Sequence, residues 1–253
     1  MSGRHVELAV RARGLTLRSG GRDVFTGVDV DVPVGSMLVV RGRTGGGKTS
    51  LLLTLAGRMR PTGGELRVLG HDLPAQARAV RRRAALGEVR GVNDLDDALT
   101  VEQHVAERLA LHQPWWRPWV GRAQVDEQLD RVERTLGGAS GASGASGASG
   151  AGGTGADVPA LHRREFVSDV DPLERMALGV VLALAGRPDV LVVDDVDSLR
   201  RVEDRRRAWA ALTALRRSST DPLTVVASCT DDPDLPPGAD ADTLTLDLDL
   251  QDA

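Results

Sequence analysis

Four consecutive apolar residues, Met37-Leu38-Val39-Val40, lead into Gly42-Arg43-Thr44-Gly45-Gly46-Gly47-Lys48-Thr49, and that segment leads into a leucine-rich stretch from Ser50. No other feature restricts the fold as much. A short continuous apolar run predicts a strand buried on both faces, and such strands belong to parallel sheets covered by helices. Leu51, Leu52 and Leu55 give Ser50–Arg58 helical spacing, ending at Gly57 or beyond, with Pro61 as a stop. Between them the glycines let backbone N–H groups turn inward, and the helix N-terminus adds positive potential, so the turn makes an anion receptor.

The segment satisfies G-x-x-x-x-G-K-[ST] in the strand-to-helix context that this mechanism requires. It assigns Gly42, Arg43, Thr44, Gly45, Gly46, Gly47, Lys48, Thr49 and Ser50 to nucleotide binding. Lys48 is expected to reach the terminal phosphates of ATP, as part of the catalytic machinery, and the Thr49 hydroxyl to ligate Mg²⁺. Of the 32 lysines and arginines, Lys48 is the only lysine. A compact ammonium fits inside a ring of N–H groups, where a planar guanidinium would not. A second buried run, Val190-Leu191-Val192-Val193, ends in Asp194-Asp195. A carboxylate at that strand end suits the metal beside a phosphate loop, which makes Asp194 the second candidate ligand for Mg²⁺.

The rest of the chain reads as strand–helix alternation after two N-terminal strands, Val6–Leu17 and Val24–Val34, in which Val28 to Val32 alternates strictly. Pro61–Gly70 reads as a turn followed by a short strand. Helices are expected over Ala75–Leu86, Thr100–Ala110, Arg122–Leu136, Pro172–Ala185 and Arg205–Arg217, and strands over Leu223–Ala227 and Thr243–Leu250. Residues 137–155, built on repeated Gly-Ala-Ser, read as a flexible linker. It interrupts a domain rather than ending one, because a strand that the sheet needs lies beyond it. The fold class is α/β.

Composition removes several classes of function. A net charge of −4 gives no overall basic field for nucleic acid. The single Cys229 excludes an internal disulfide and fits a reducing cytoplasm. Met1–Gly14 is polar and Arg-containing, without the apolar core of a signal peptide. The longest apolar run, Met176 to Gly186, is shorter than the roughly 20 residues that a bilayer span needs. Any membrane function is expected to go through a partner.

The order of these elements resembles the nucleotide-binding domain of ABC transporters over nearly the whole chain. The stretch GRTGGGKTSLLLTLAGRMRPTGGELRVLG carries the resemblance most specifically, with Leu99-Thr100-Val101 and Ala183–Pro188 ahead of Val190–Asp195 as further matches. The resemblance implies a P-loop NTPase with a RecA-like core, an N-terminal antiparallel β-subdomain and a helical subdomain at 92–175, all within one domain of 1–253. It also implies ATP and Mg²⁺ as cofactors, a homo- or heterodimer sandwiching two ATP molecules, transmembrane permease subunits as partners, and a cytoplasmic, peripheral place at the inner face of the cell membrane.

Several positions depart from the family pattern. No aromatic stands near Ser19, where adenine is usually stacked. The glutamine position falls at Gly91, the switch histidine at Thr230 before Asp231, and the inter-subunit aspartate at Arg200 or Arg201. The signature falls on Val170-Asp171-Pro172-Leu173-Glu174. The general-base glutamate falls at Asp195, one methylene shorter, so its carboxylate retreats by roughly 1.5 Å. The expected enzyme is an ATPase that binds ATP and turns it over slowly. A non-hydrolytic regulatory or scaffold subunit is the alternative; a coiled-coil DNA-repair ATPase is disfavoured by the short Gly-Ala-Ser insertion.

Remaining features have plainer readings. Trp115, Trp116 and Trp119 are either a small core of the helical subdomain or an interface anchor, which the resemblance places near the permease groove. Arg81–Arg83 and Arg205–Arg207 read as solvated helix faces. His104 and His112 lack metal spacing, and the eight aspartates from Asp231 onward, without a basic residue among them, read as a solubilising edge.

Overall fold

In the computed structural model the described residues are 7–116, 119–137 and 161–248, with no side chain described for 131–137 or 240. The chain runs β1 (Leu8–Ser19), β2 (Arg22–Pro33), β3 (Met37–Arg41), α1 (Lys48–Leu55), β4 (Gly63–Val68), β5 (His71–Leu73), α2 (Ala77–Arg83) and β6 (Ala84–Leu86). It continues through α3 (Val101–Leu111), α4 (Arg122–Gly137), α5 (Pro172–Leu184), β7 (Val190–Val193), α6 (Val202–Ser218), β8 (Thr224–Cys229) and β9 (Thr243–Asp247). The linker expected at 137–155 lies, beyond the end of α4, outside the described residues.

Two sheets result. One is antiparallel in the order β2-β1-β4-β5; the other is parallel throughout in the order β6-β7-β8-β3-β9. The parallel sheet is buried on both faces, as its unbroken apolar strands require. Period-two alternation sends Met37, Val39, Leu191 and Val193 to one side, against α5 and α6. Leu38, Val40, Val190 and Val192 go to the other, where α1, α2 and the antiparallel sheet lie. Helices α3 and α4 join the first layer through Val101, Val105, Val125 and Leu129, which share one apolar cluster with the fully buried Trp209 of α6.

Three expectations change. The helix over Ala75–Leu86 is cut at Arg83, because Ala84-Ala85-Leu86 pairs with β7 as the sheet's edge strand. Arg83 fixes that edge through two hydrogen bonds to the Asp189 carboxylate, at 2.8 and 2.9 Å, and its carbonyl accepts the Asp189 N–H. Sheet pairing outweighs the helix propensity of two alanines and a leucine. The tryptophans form no core: Trp115, Trp116 and Trp119 are 86%, 66% and 89% exposed, and the first two meet edge-to-face. The acidic tail is more than a solubilising edge. Asp232 and Asp247 pair with Arg41, Asp234 with Arg205 and Arg206, and Asp242 with Arg216. Burial pushes the Cys229 thiol up to about 12, so the residue packs as an apolar group rather than reacting.

Candidate nucleotide-binding site

The parallel sheet order creates the site. β8 lies between β3 and β7, so the loop leaving β3 and the carboxylates leaving β7 meet across the end of β8. The loop from Gly42 to Gly47 closes on itself, with the Gly46 N–H donated to the Arg43 carbonyl at 3.0 Å. Lys48 is 9% exposed, and its ammonium donates to the carbonyls of Gly42 and Arg43 at 2.6 and 3.0 Å. Gly47 is fixed by two constraints: its φ of +84° lies in the left-handed region, and a Cβ there would stand 2.4 Å from the Val24 carbonyl oxygen. This residue caps α1 without any side-chain hydrogen bond, and no acidic residue occupies the first turn. The N-terminal end of α1 therefore keeps its backbone donors for an external anion.

The Thr49 hydroxyl donates to Asp194 Oδ2 at 2.6 Å, joining the two residues expected to ligate Mg²⁺. On the other side, Ser228 Oγ donates to Asp194 Oδ1 at 2.6 Å and accepts the Asp195 N–H at 2.8 Å. Ser228 is fully buried at the end of β8, so it holds both aspartates from behind. Asp195 has φ 52° and ψ 57°, a left-handed conformation that costs a non-glycine residue about 1–2 kcal/mol. Burial raises its carboxyl pKa, the charge of Asp194 adds to that rise, and Lys48 and Arg90 oppose it. Asp195 thus sits, strained and partly desolvated, beside the candidate metal ligand Asp194, as a general-base candidate should.

One cleft of about 810 Å³ holds these residues together: Thr44, Gly45, Gly47, Lys48, Thr49, Ser50, Asp194 and Asp195 line it, and Arg43 contributes its carbonyl from outside the lining. Glu88, Arg90, Asp171, Arg175, Arg200 and Arg201 line the same cleft. Among the described lining residues there is no aromatic; Val24 is there instead.

The far wall is the start of α5. Asp171 is its N-cap, accepting the Leu173 N–H at 3.1 Å, and Glu174 completes a capping box by accepting the Asp171 N–H at 3.4 Å. Pro172 fills the first turn with a residue that has no N–H. One turn on, Arg175 clamps the helix to the loop after β6. Its guanidinium donates to both Glu88 oxygens at 2.7–3.0 Å and to Asp97 at 2.6 Å, and these bonds raise its pKa. Gly179 allows the close approach, since a Cβ there would come 2.7 Å from the Glu88 N–H nitrogen. Gly91 turns the loop with its N–H on the Asp94 carboxylate, and the Thr230 N–H donates to Asp197.

Sequence reasoning named the loop and the two aspartates after β7, which the structure brings to one cleft, and did not name Ser228, Glu88, Arg90 or Arg175. For Ser228 the one available signal was a polar residue ending a buried strand. The Glu88–Arg175 clamp joins residues 87 apart in the chain and left no local trace.

Comparisons with known proteins agree on the family. The family model described as ABC transporter matches residues 25–198. The cytochrome c biogenesis ATP-binding export protein CcmA of Pseudomonas putida is 38% identical over 108 residues, 42% of this chain and 50% of that protein. The daunorubicin resistance ATP-binding protein DrrA3 of Streptomyces coeruleorubidus is 26% identical over 217 residues, 86% of this chain and 60% of that protein. The chain spans about half the length of the curated relatives it matches. In fold it is similar to the dimeric bacterial ABC transporter cassette MJ0796, with a TM-score of 0.67 at 14% identity, covering 94% of each chain. It is also similar to cbiO1 of Clostridium perfringens, part of the transporter complex cbiONQ, with a TM-score of 0.66 at 14% identity over 89% of this chain and 79% of that one. With a family model matched across most of its length and a cassette fold around the phosphate loop, this chain belongs to the ABC transporter family.

Proposed function

We propose that this chain is the ATP-binding subunit of an ABC transporter, one that binds Mg-ATP through Gly42–Ser50 and hydrolyses it slowly to drive separate permease subunits. The observation that carries the reading is the N-terminus of α1, capped by a glycine without a side-chain acceptor, whose Thr49 hydroxyl meets Asp194 at the end of β7. ATP brings an anionic triphosphate and a cleavable phosphoanhydride; Mg²⁺ neutralises charge developing on it. The protein supplies the rest. Gly45 and Gly47 shape the loop, Lys48 provides a buried cation, Thr49 and Asp194 provide hard oxygen ligands, and Ser228 holds Asp194 in place.

Slow turnover follows from the second wall. The family resemblance implies a dimer that sandwiches two ATP molecules, with one protomer's signature segment facing its partner's nucleotide, and the similar cassette MJ0796 is described as dimeric. In this chain the N-terminus of α5 is filled by its own Asp171 and Glu174 carboxylates. An incoming phosphate meets two anions where it needs donors, in a poorly hydrated interface. Asp195, short by one methylene, is a weak base as well, since an error of ~1 Å can cost ~100-fold. A heterodimer with a chain whose signature is intact would cover this protein's ATP better. Residues 92–175 serve as the helical subdomain, and the exposed Trp115, Trp116 and Trp119 as anchors for the permease. Among the described residues no helix is long and apolar enough to cross a membrane. The reading assigns attachment at the inner face of the cell membrane to those permease subunits.

The self-capped α5 specifically favours a second reading, a non-hydrolytic ATP-loaded regulatory subunit. Measuring steady-state ATPase activity with and without co-purified permease separates the two. Stimulation by the permease supports the transporter subunit; affinity for ATP without turnover in either sample supports the regulator.

A further inference from the structure

The loop that follows β6 is tied down at nearly every residue. The Gly87 N–H donates to the Val192 carbonyl at 2.8 Å and extends the pairing of β6 with β7 by one residue. Asn93 closes the turn. Its Oδ1 accepts the Val89 N–H at 2.9 Å, and its amide donates to the Gly87 carbonyl at 2.9 Å. The N–H groups of Val92 and Asn93 return to the Val89 carbonyl at 3.0 and 3.2 Å, and the Gly91 N–H meets the Asp94 carboxylate. Arg175 holds Glu88, and Val89 is buried in the core. Arg90 stands in the middle of this braced segment, and its side chain lines the nucleotide cleft with Lys48, Thr49, Asp194 and Asp195.

Placement distinguishes Arg90 from the arginines that serve the fold. Arg83 and Arg175 bond carboxylates that fix the sheet edge and the start of α5. Arg90 makes no hydrogen bond or ion pair among the described residues, and its charge reaches the far end of the site. Three carboxylates gather there: Asp194 and Asp197 act on Asp195 in one direction, Lys48 and Arg90 in the other. A triphosphate seated on the phosphate loop brings its γ-phosphoryl group to Lys48 and to the metal held by Thr49 and Asp194. A diphosphate leaves that place empty. The resemblance puts the family's glutamine at Gly91, which has no side chain; here the polar side chain on the cleft comes one residue earlier.

We propose that Arg90 binds the γ-phosphate of ATP held by the same chain, and so is the residue by which this site distinguishes ATP from ADP. This assignment rests on the Mg-ATP reading of the phosphate loop and adds the group that reads the third phosphate. A planar guanidinium presents paired N–H donors that match phosphoryl oxygens, and such charge-assisted bonds are the strong ones. The braced backbone places the fork before nucleotide arrives, so less conformational freedom is lost on binding. The same donors face the charge on the γ-phosphoryl oxygens during transfer, as an arginine supplied in cis does in other phosphoryl-transfer enzymes.

Calorimetry on the full-length protein with Mg²⁺ tests the assignment, using ADP and the non-hydrolysable analogue adenylyl imidodiphosphate. Arg90→Ala is expected to weaken the analogue at least ~10-fold, about 1.4 kcal/mol, and to leave ADP within ~2-fold. Arg90→Lys keeps the charge, loses the fork and is expected to fall between Arg90→Ala and the parent. Arg11→Ala removes an exposed charge outside the cleft and is expected to leave both ligands within ~2-fold. Since Arg90 bonds nothing in the fold, its variants are expected to melt within about 2 °C of the parent. Equal weakening of ADP and the analogue by Arg90→Ala would overturn the assignment, and so would unchanged affinity for both. In either case a parent that binds both ligands leaves the Mg-ATP reading standing. A parent that binds neither would overturn that reading and the role of Arg90 with it.

Discussion

Two helix N-termini open into the same cleft, and they are built in opposite ways. The α1 terminus has a left-handed glycine for a cap, no side-chain acceptor and no acid in its first turn. The α5 terminus has an aspartate cap, a proline at the next position and a glutamate that closes a capping box. Both ends carry the same partial positive charge from aligned peptide dipoles. One leaves that charge for a ligand, and the other satisfies it internally. A helix end can serve the fold or serve an anion, and in this chain the division follows the residues, with glycines and the only lysine at one end and two carboxylates at the other.

The largest effect expected from breaking this contrast is at Lys48. Lys48→Ala is expected to reduce Mg-ATP affinity by at least ~100-fold in calorimetry, because a buried charge-assisted contact to phosphate is removed. Its circular dichroism spectrum is expected to match the parent's. Unaltered affinity would take the phosphate loop out of the account.

Next in size is Arg175→Ala, which tests what positions the α5 end. It leaves Glu88, 15% exposed at its side chain, without its cation. The expected loss is about 2 kcal/mol, or roughly 4–8 °C in melting temperature for a chain of this size. Arg18→Ala, which removes a solvent-exposed pair with Asp23, is expected to cost less than about 1 kcal/mol. Equal losses in the two variants would mean that the clamp is no more than a surface pair.

Asp171→Ala is expected to cost about 1 kcal/mol through the lost cap, roughly 2–4 °C, and Asp171→Ser to restore most of it. No loss with alanine would show that the carboxylate is not spent on the helix and is available to the interface.

The smallest effect concerns Asp195. Its folded-state pKa is raised, by burial first, so as pH climbs past the unfolded-state value the unfolded chain ionises before the folded one. Stability falls through that window and stays reduced above it. Asp195→Asn is therefore expected to melt higher than the parent at neutral pH, by no more than about 2 °C given the group's partial exposure, and the gain to vanish on acidification to below the ordinary carboxylate range. A gain that persists at low pH would assign the effect to something other than charge.

How much of this was legible beforehand depended on sequence distance. The phosphate loop is contiguous, and its glycine, lysine and threonine requirements are local, so Gly42–Ser50 could be read directly. Asp194 could be read because a buried strand ending in a carboxylate pairs naturally with such a loop. Ser228 lies 34 residues from the aspartate it holds, and Arg175 lies 87 from Glu88, so both depend on a strand order that the sequence pattern does not state. Ala84–Leu86 was lost to propensity, since two alanines and a leucine favour a helix until β7 offers a pairing edge. The tryptophans were ambiguous because composition cannot tell an anchor from a core; their exposure favours the anchor. Arg81 and Arg82 read as a solvated face, and both are exposed, with Arg81 also donating to the Gly57 carbonyl at the end of α1.

The central claim is that the chain holds ATP at α1 while its own α5 end and short base keep turnover low. Steady-state ATP hydrolysis by the isolated protein, measured at saturating Mg-ATP alongside Asp195→Glu, tests it most directly. The account predicts turnover below about 1 per second for both proteins, because restoring the base leaves Asp171 and Glu174 in place and effects within one catalytic unit are not additive. Turnover of the unaltered protein within the ordinary enzyme range, about 1–1,000 per second, would contradict it, and so would full rescue by Asp195→Glu alone.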